Sequence, residues 1–115
     1  MHPYLWILDD DGNPVPCDDL IVWGRRFESA QRSVARTPLI LRDLEIEVST
    51  VFLGIDHSFG DDGPPVLWET MVFGLGDFGA EHQRRHCSRE EAGHYHGEVV
   101  ADLLKRGARL LVEGE

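Results

Sequence analysis

Five side chains able to ligate a metal, His82, His86, Cys87, His94 and His96, fall within 15 residues of one another. Their spacing does not bring them together. On a helix His94 and His96 would point about 200° apart. The stretch around His82 and His86 has glycines before it and strand-like residues after it, and no HExxH or CxxC accompanies the group. They read as scattered surface histidines, and no metal ligand is assigned.

A second set comprises Asp56, His57, Glu69 and His96. Glu69 falls within an apolar run, between Trp68 and Thr70-Met71. His96 lies at helical spacing from Ala92, Val99, Val100 and Leu103, on the side of its helix that should face a sheet. A buried imidazole needs a partner. A carboxylate at the end of one strand or in the middle of the next would supply it, leaving a polarised ring with acid/base potential. The plainer and commoner reading is a core histidine satisfied by a structural hydrogen bond. The set is therefore a candidate polar cluster, with no catalytic residue and no cofactor assigned, and the chain reads as a binding protein more readily than as an enzyme. Other chemistries lack their frames: no GxSxG elbow exposes a serine, and Gly74-Leu75-Gly76-Asp77-Phe78-Gly79 spells GxGxxG without a βαβ unit around it, so a loop is expected there.

The charge is −10 over 115 residues, and it is unevenly spread. Residues 1–24 hold five aspartates and no Lys or Arg; residues 25–42 carry Arg25, Arg26, Arg32, Arg36 and Arg42 against Glu28; residues 43–83 hold nine acids and no base. Such a field repels nucleic acid phosphates and attracts basic surfaces. A direct nucleic-acid binder is not expected unless the arginines form a face of their own. Asp9, Asp10, Asp11, Asp18, Asp19, Glu45, Glu47, Asp61 and Asp62 are the candidate acidic interaction surface, with a basic host or phage protein as its partner. Two distant cysteines, no segment near the ~20 apolar residues of a membrane helix and no signal-like leader point to the cytoplasm.

The elements that must position these groups follow from periodicity. Tyr4 to Asp9 alternates like a strand and ends in turn formers. Leu20, Trp23, Phe27, Ala30 and Val34 make one apolar stripe on a helix of roughly four turns, capped by Asp18 or Asp19. Ser33 to Leu41 reads as a weak strand interrupted by Pro38. Leu44 to Ile55 is the strongest strand, and its apolar parity switches near Ser49-Thr50, as a bulge or two-sided burial would require. It should form a hairpin with Pro65 to Phe73. A short strand over Arg84 to Cys87 precedes a helix opened by Ser88, with Glu91 completing a capping box, and closed at Gly107. Leu110 to Val112 could add a last strand.

Val48-Ser49-Thr50-Val51-Phe52-Leu53-Gly54-Ile55-Asp56-His57 and Pro64-Pro65-Val66-Leu67-Trp68-Glu69-Thr70-Met71-Val72-Phe73-Gly74 resemble the VSTVFLGLDH-like and PPLLFETMVFGG-like strands of a family of small uncharacterised bacteriophage and prophage proteins. That family opens its last helix with an ERYSTWEEAEAGH-like segment, matched here at Ser88, Glu90, Glu91, Ala92 and His96 and departed from at His86, Arg89 and His94. The resemblance covers roughly residues 34–100 and implies a setting, the bacterial host cytoplasm, rather than a mechanism.

The expectation is thus a single α+β domain over residues 1–115, a two-layer sandwich with an antiparallel sheet of four to five strands and two helices on one face, permitting a ferredoxin-like variant. Its expected role is that of a phage-encoded accessory protein that binds a host macromolecule, in the sharpest form an anti-defence, anti-CRISPR-like inhibitor that mimics phosphates. The alternatives are a small enzyme or signal-sequestering ligand binder using the His/carboxylate set, and a virion structural or assembly protein, for which a homodimer or larger symmetric oligomer would be needed.

Overall fold

The computed structural model describes residues 4–29, 31–58 and 63–112. Strands β1 (Trp6–Leu8) and β2 (Pro14–Pro16) pair as a small antiparallel hairpin, followed by helix α1 (Leu20–Ser29). The remaining strands are β3 (Ser33–Leu41), β4 (Leu44–Phe52), β5 (Trp68–Phe73), β6 (Arg84–His86) and β7 (Arg109–Leu110), with a 3-10 helix (Gly76–His82) before β6 and helix α2 (Arg89–Lys105) before β7. The five form one antiparallel sheet in the order β6-β5-β4-β3-β7. The fold is α+β in two layers, with α2 laid across β3, β4, β5 and β6.

The central hairpin is β4 against β5, in the unbroken register Glu47↔Phe73 to Phe52↔Trp68. Because paired residues share a face of the sheet, this register sends Ile46, Val48, Thr50 and Phe52 of β4 toward α2, together with Trp68, Thr70 and Val72 of β5. Leu39, Ile46, Val48 and Val72 close on Val99, Leu103 and Ala108, while Phe52, Leu67 and Trp68 close on Ala92. Each large apolar side chain removed from water here contributes about 1.5–3 kcal/mol before the entropy of ordering it. The opposite face carries Arg36, Glu47, Ser49, Val51, Glu69, Met71, Phe73 and Arg85.

Several local expectations are revised. The parity switch in β4 is not a bulge: Thr50 takes an inward, fully buried position in regular register, and the irregularity lies in β3 between Ser33 and Ala35. The β3 strand runs for nine residues through Pro38, whose carbonyl accepts from Leu111 N at 3.1 Å. Its missing N–H therefore falls on the side where β7 is ending, and β4 loses no bond. The GxGxxG stretch enters the 3-10 helix at Gly76, with the backbone of Gly79 so near that of Val72 that a Cβ there would lie 2.5 Å from the Val72 carbonyl oxygen.

The extent of the first helix is also corrected. Helix α1 ends at Ser29, not near Val34, and packs chiefly on β1. Asp19 caps it, its Oδ1 accepting from Ile21 N and Val22 N at 2.9 and 3.1 Å. Trp23 Nε1 donates to Gly54 O at 2.9 Å, and the Phe27 ring lies where a Cβ on Gly54 would stand, 2.9 Å away. Only the Trp23–Phe27 side of the stripe is used; Leu20 and Ile21 are each 69% exposed. The sheet is a meander whose successive strands β3 to β6 are neighbours, so the interleaved order of a ferredoxin-like fold is not formed.

Candidate functional site

Three threonines occupy inward positions on adjacent strands, Thr37 on β3, Thr50 on β4 and Thr70 on β5, and His86 ends the line on β6. From above, α2 lowers His96 between the first two. Thr37 Oγ1 lies 2.8 Å from His96 Nε2, and His96 Nδ1 lies 2.8 Å from Thr50 Oγ1. Thr50 Oγ1 is 2.7 Å from Thr70 Oγ1, which is 3.1 Å from His86 Nε2. One chain of hydrogen bonds thus crosses four strands beneath α2. The rings are sealed from water, His86 being 1% and His96 6% exposed.

Proton counting gives the chain a direction. Each hydroxyl has one hydrogen to donate and each neutral imidazole donates at one nitrogen and accepts at the other. The remaining nitrogen, His86 Nδ1, has no hydrogen-bond partner but stands 3.7 Å from the Glu91 carboxylate. A lone pair facing that carboxylate would be repelled, so the hydrogen belongs on Nδ1. Nε2 of His86 then accepts from Thr70, Thr70 from Thr50, Thr50 from Nδ1–H of His96, and His96 Nε2 from Thr37. Burial, which disfavours the charged ring, lowers the pKa of both imidazoles. For His86 the neighbouring Glu91 opposes this and Arg84 reinforces it.

The structure separates the four residues of the sequence-derived cluster. His96 faces inward as expected, but its partners are Thr37 and Thr50 rather than a carboxylate. Glu69, one residue from Thr70, necessarily points to the other face, where its Oε2 accepts from Arg85 Nε at 2.9 Å and Gln83 Nε2 at 3.2 Å. Asp56 is buried and uses Oδ1 to accept from Ser58 N and Val66 N, each at 2.9 Å, which fixes the loop after β4. His57 Nδ1 lies 2.8 Å from the carbonyl oxygen of Ile55.

Of the acidic candidates, Asp9, Asp10 and Asp11 sit in the β1–β2 turn, and Asp18 and Asp19 lie beyond the other end of that hairpin. Glu45 and Glu47 lie on β4, where Glu47 Oε1 accepts from Arg36 Nε at 2.8 Å. Asp61 and Asp62 are outside the described residues. The sequence reading took His82 and His86 for scattered surface histidines, but both are buried, His82 where the 3-10 helix meets α2. Its Nε2 lies 3.0 Å from Asp102 Oδ2, a bond that lowers the Asp102 pKa, and its carbonyl accepts from Tyr95 OH at 2.9 Å. No motif marks His82; the only signal was its separation of 20 residues from a carboxylate on the last helix.

No group of three His, Cys, Asp or Glu side chains among the described residues is arranged to hold a metal ion. Two clefts open elsewhere. One, about 330 Å³, lies among the β1–β2 turn, the end of α1, the start of β3 and the first residue of α2; the other, about 360 Å³, lies on the uncovered face of the sheet around Arg36, Glu47 and Phe73. Neither is lined by Asp56, His57, Glu69 or His96.

No protein-family model, curated protein or solved structure matches the chain.

Its chemistry therefore has to be read from its own side chains. No helix among the described residues is long and apolar enough to cross a membrane.

Proposed function

We propose that this chain is a small acidic accessory protein that acts by binding a macromolecular partner with a basic surface. The observation that carries the reading is the state of the exposed carboxylates: Asp11, Asp18 and Glu45 are exposed, and none of them forms an ion pair among the described residues. With a net charge of −10, these groups provide long-range attraction to a cationic partner without first having to break an internal bridge. The inward groups support the same reading, since the threonines and His96 are bonded to one another and line neither of the two clefts. The phage-like strand motifs make an infected bacterium the natural setting, and imitation of nucleic-acid phosphates toward a host defence protein is the sharpest version.

The test compares immobilised wild-type protein with the triple variant Asp11→Lys, Asp18→Lys, Glu45→Lys, presented to a bacterial host lysate at low and high salt. A basic protein captured by the wild type should be lost in the reversed variant and released as salt shortens the range of the field to within about 10 Å or less. Capture that survives both changes would overturn the proposal.

A further inference from the structure

The cleft beside the β1–β2 turn sets two arginines beside two aspartates, Asp9 and Asp10. Arg26 reaches it from α1 and Arg89 from the first turn of α2, with Ser29, Gln31 and Ser33 between them. Arg89 forms no ion pair among the described residues. Its guanidinium is fitted against the turn: a Cβ on Gly12, where φ is +83°, would come 3.3 Å from Arg89 Nη1. Arg26 has only a loose partner, Asp10 at 3.7 Å, and that carboxylate is 97% exposed, so water and salt screen the pair. Asp9 also lines the cleft, but its Oδ1 accepts from Asp11 N and Asn13 N and so is committed to holding the turn.

The neighbouring cleft, which shares Ser33, differs. There Arg36 is held by Glu47 at 2.8 Å, and Arg32 lies over the Phe27 ring at 3.9 Å. Of the two clefts, the one between Arg26 and Arg89 thus holds its guanidiniums without a short ion pair.

We infer that this cleft binds a small phosphomonoester carrying hydroxyl groups, such as a sugar phosphate, with Arg26 and Arg89 on the phosphate and Ser29, Gln31, Ser33 and the carboxylate of Asp10 toward the hydroxyls. Two guanidiniums suit the planar, forked recognition of phosphate oxygens. Uncharged hydroxyl and amide groups suit an uncharged polar remainder. The volume of about 330 Å³ lies at the small end of ligand sites and suits a small molecule. This site goes beyond the macromolecular reading and does not involve the carboxylates that reading relies on.

The test is titration of the 15N-labelled full chain with ribose 5-phosphate, using inorganic phosphate and unphosphorylated ribose as separate arms. Saturable shifts are expected at the amides of Ser29, Gln31, Ser33 and Arg89, stronger binding for ribose 5-phosphate than for phosphate, and none for ribose. Arg89→Gln should weaken binding roughly tenfold, the loss of one charge-assisted hydrogen-bonded pair. Arg89→Lys should fall between, since it keeps the charge but not the fork. Because both variants alter an exposed side chain, their amide spectra should otherwise overlay that of the wild type. Absence of saturable binding, equal affinity for ribose, or affinity unchanged in Arg89→Gln would overturn the inference.

Discussion

Replacing Thr50 with valine is expected to destabilise the protein by about 2–3 kcal/mol, although the two side chains are nearly the same shape. The variant removes the hydroxyl that stands 2.8 Å from His96 Nδ1 and 2.7 Å from Thr70 Oγ1, leaving a buried imidazole nitrogen with no partner. His96→Leu should cost a similar amount by orphaning Thr37 and removing one of the two partners of Thr50. The double variant should cost less than the sum of the two by more than about 1 kcal/mol, because removing both ends of the Thr50–His96 bond leaves neither of those two ends unsatisfied. Urea unfolding of the four proteins at neutral pH measures this cycle. Additive losses would mean that the two groups do not depend on one another.

Stability should fall steeply between neutral pH and pH 5. Burial holds the folded-state pKa of His86 and His96 below the ordinary value of 6.5, so in the window beneath 6.5 the unfolded chain binds protons that the folded chain refuses. The stabilisation is complete above the unfolded pKa and is lost as the pH drops through that window. Each imidazole contributes a slope of at most about 1.4 kcal/mol per pH unit. Replacing His86 with glutamine should flatten the profile, whatever it does to stability at pH 7. A profile that is level from pH 7 to 5 would show that neither ring resists protonation.

Much of this architecture was legible in the residues. The Leu44–Phe73 hairpin, the Ser88 cap, whose Oγ accepts from Glu91 N at 3.1 Å, and the stop at Gly107, with φ +103°, all rest on local rules that tertiary contacts did not override. The stripe on α1 misled because periodicity reports which face is apolar but not what covers it: a glycine backbone at Gly54 accepted Trp23 and Phe27, and the sheet did not. His96 was placed inward correctly, yet its partner was mistaken. Glu69 was the obvious acid, but strand alternation puts it and Thr70 on opposite faces, and a threonine row is invisible until the register is known. The same register explains the misread parity of β4, where Thr50 is a polar residue at a core position. The clefts draw on residues as far apart as Leu8 and Arg89, beyond the reach of any local pattern.

A sealed, directional chain runs from Thr37 to His86. Nitrogen NMR of the imidazole rings, followed from pH 7 to pH 5, tests it most directly. Both His86 and His96 should hold the hydrogen on Nδ1 with Nε2 as acceptor, and both should stay neutral below the ordinary imidazole value of 6.5. Rings that average between tautomers and are already charged at pH 6.5 would contradict it.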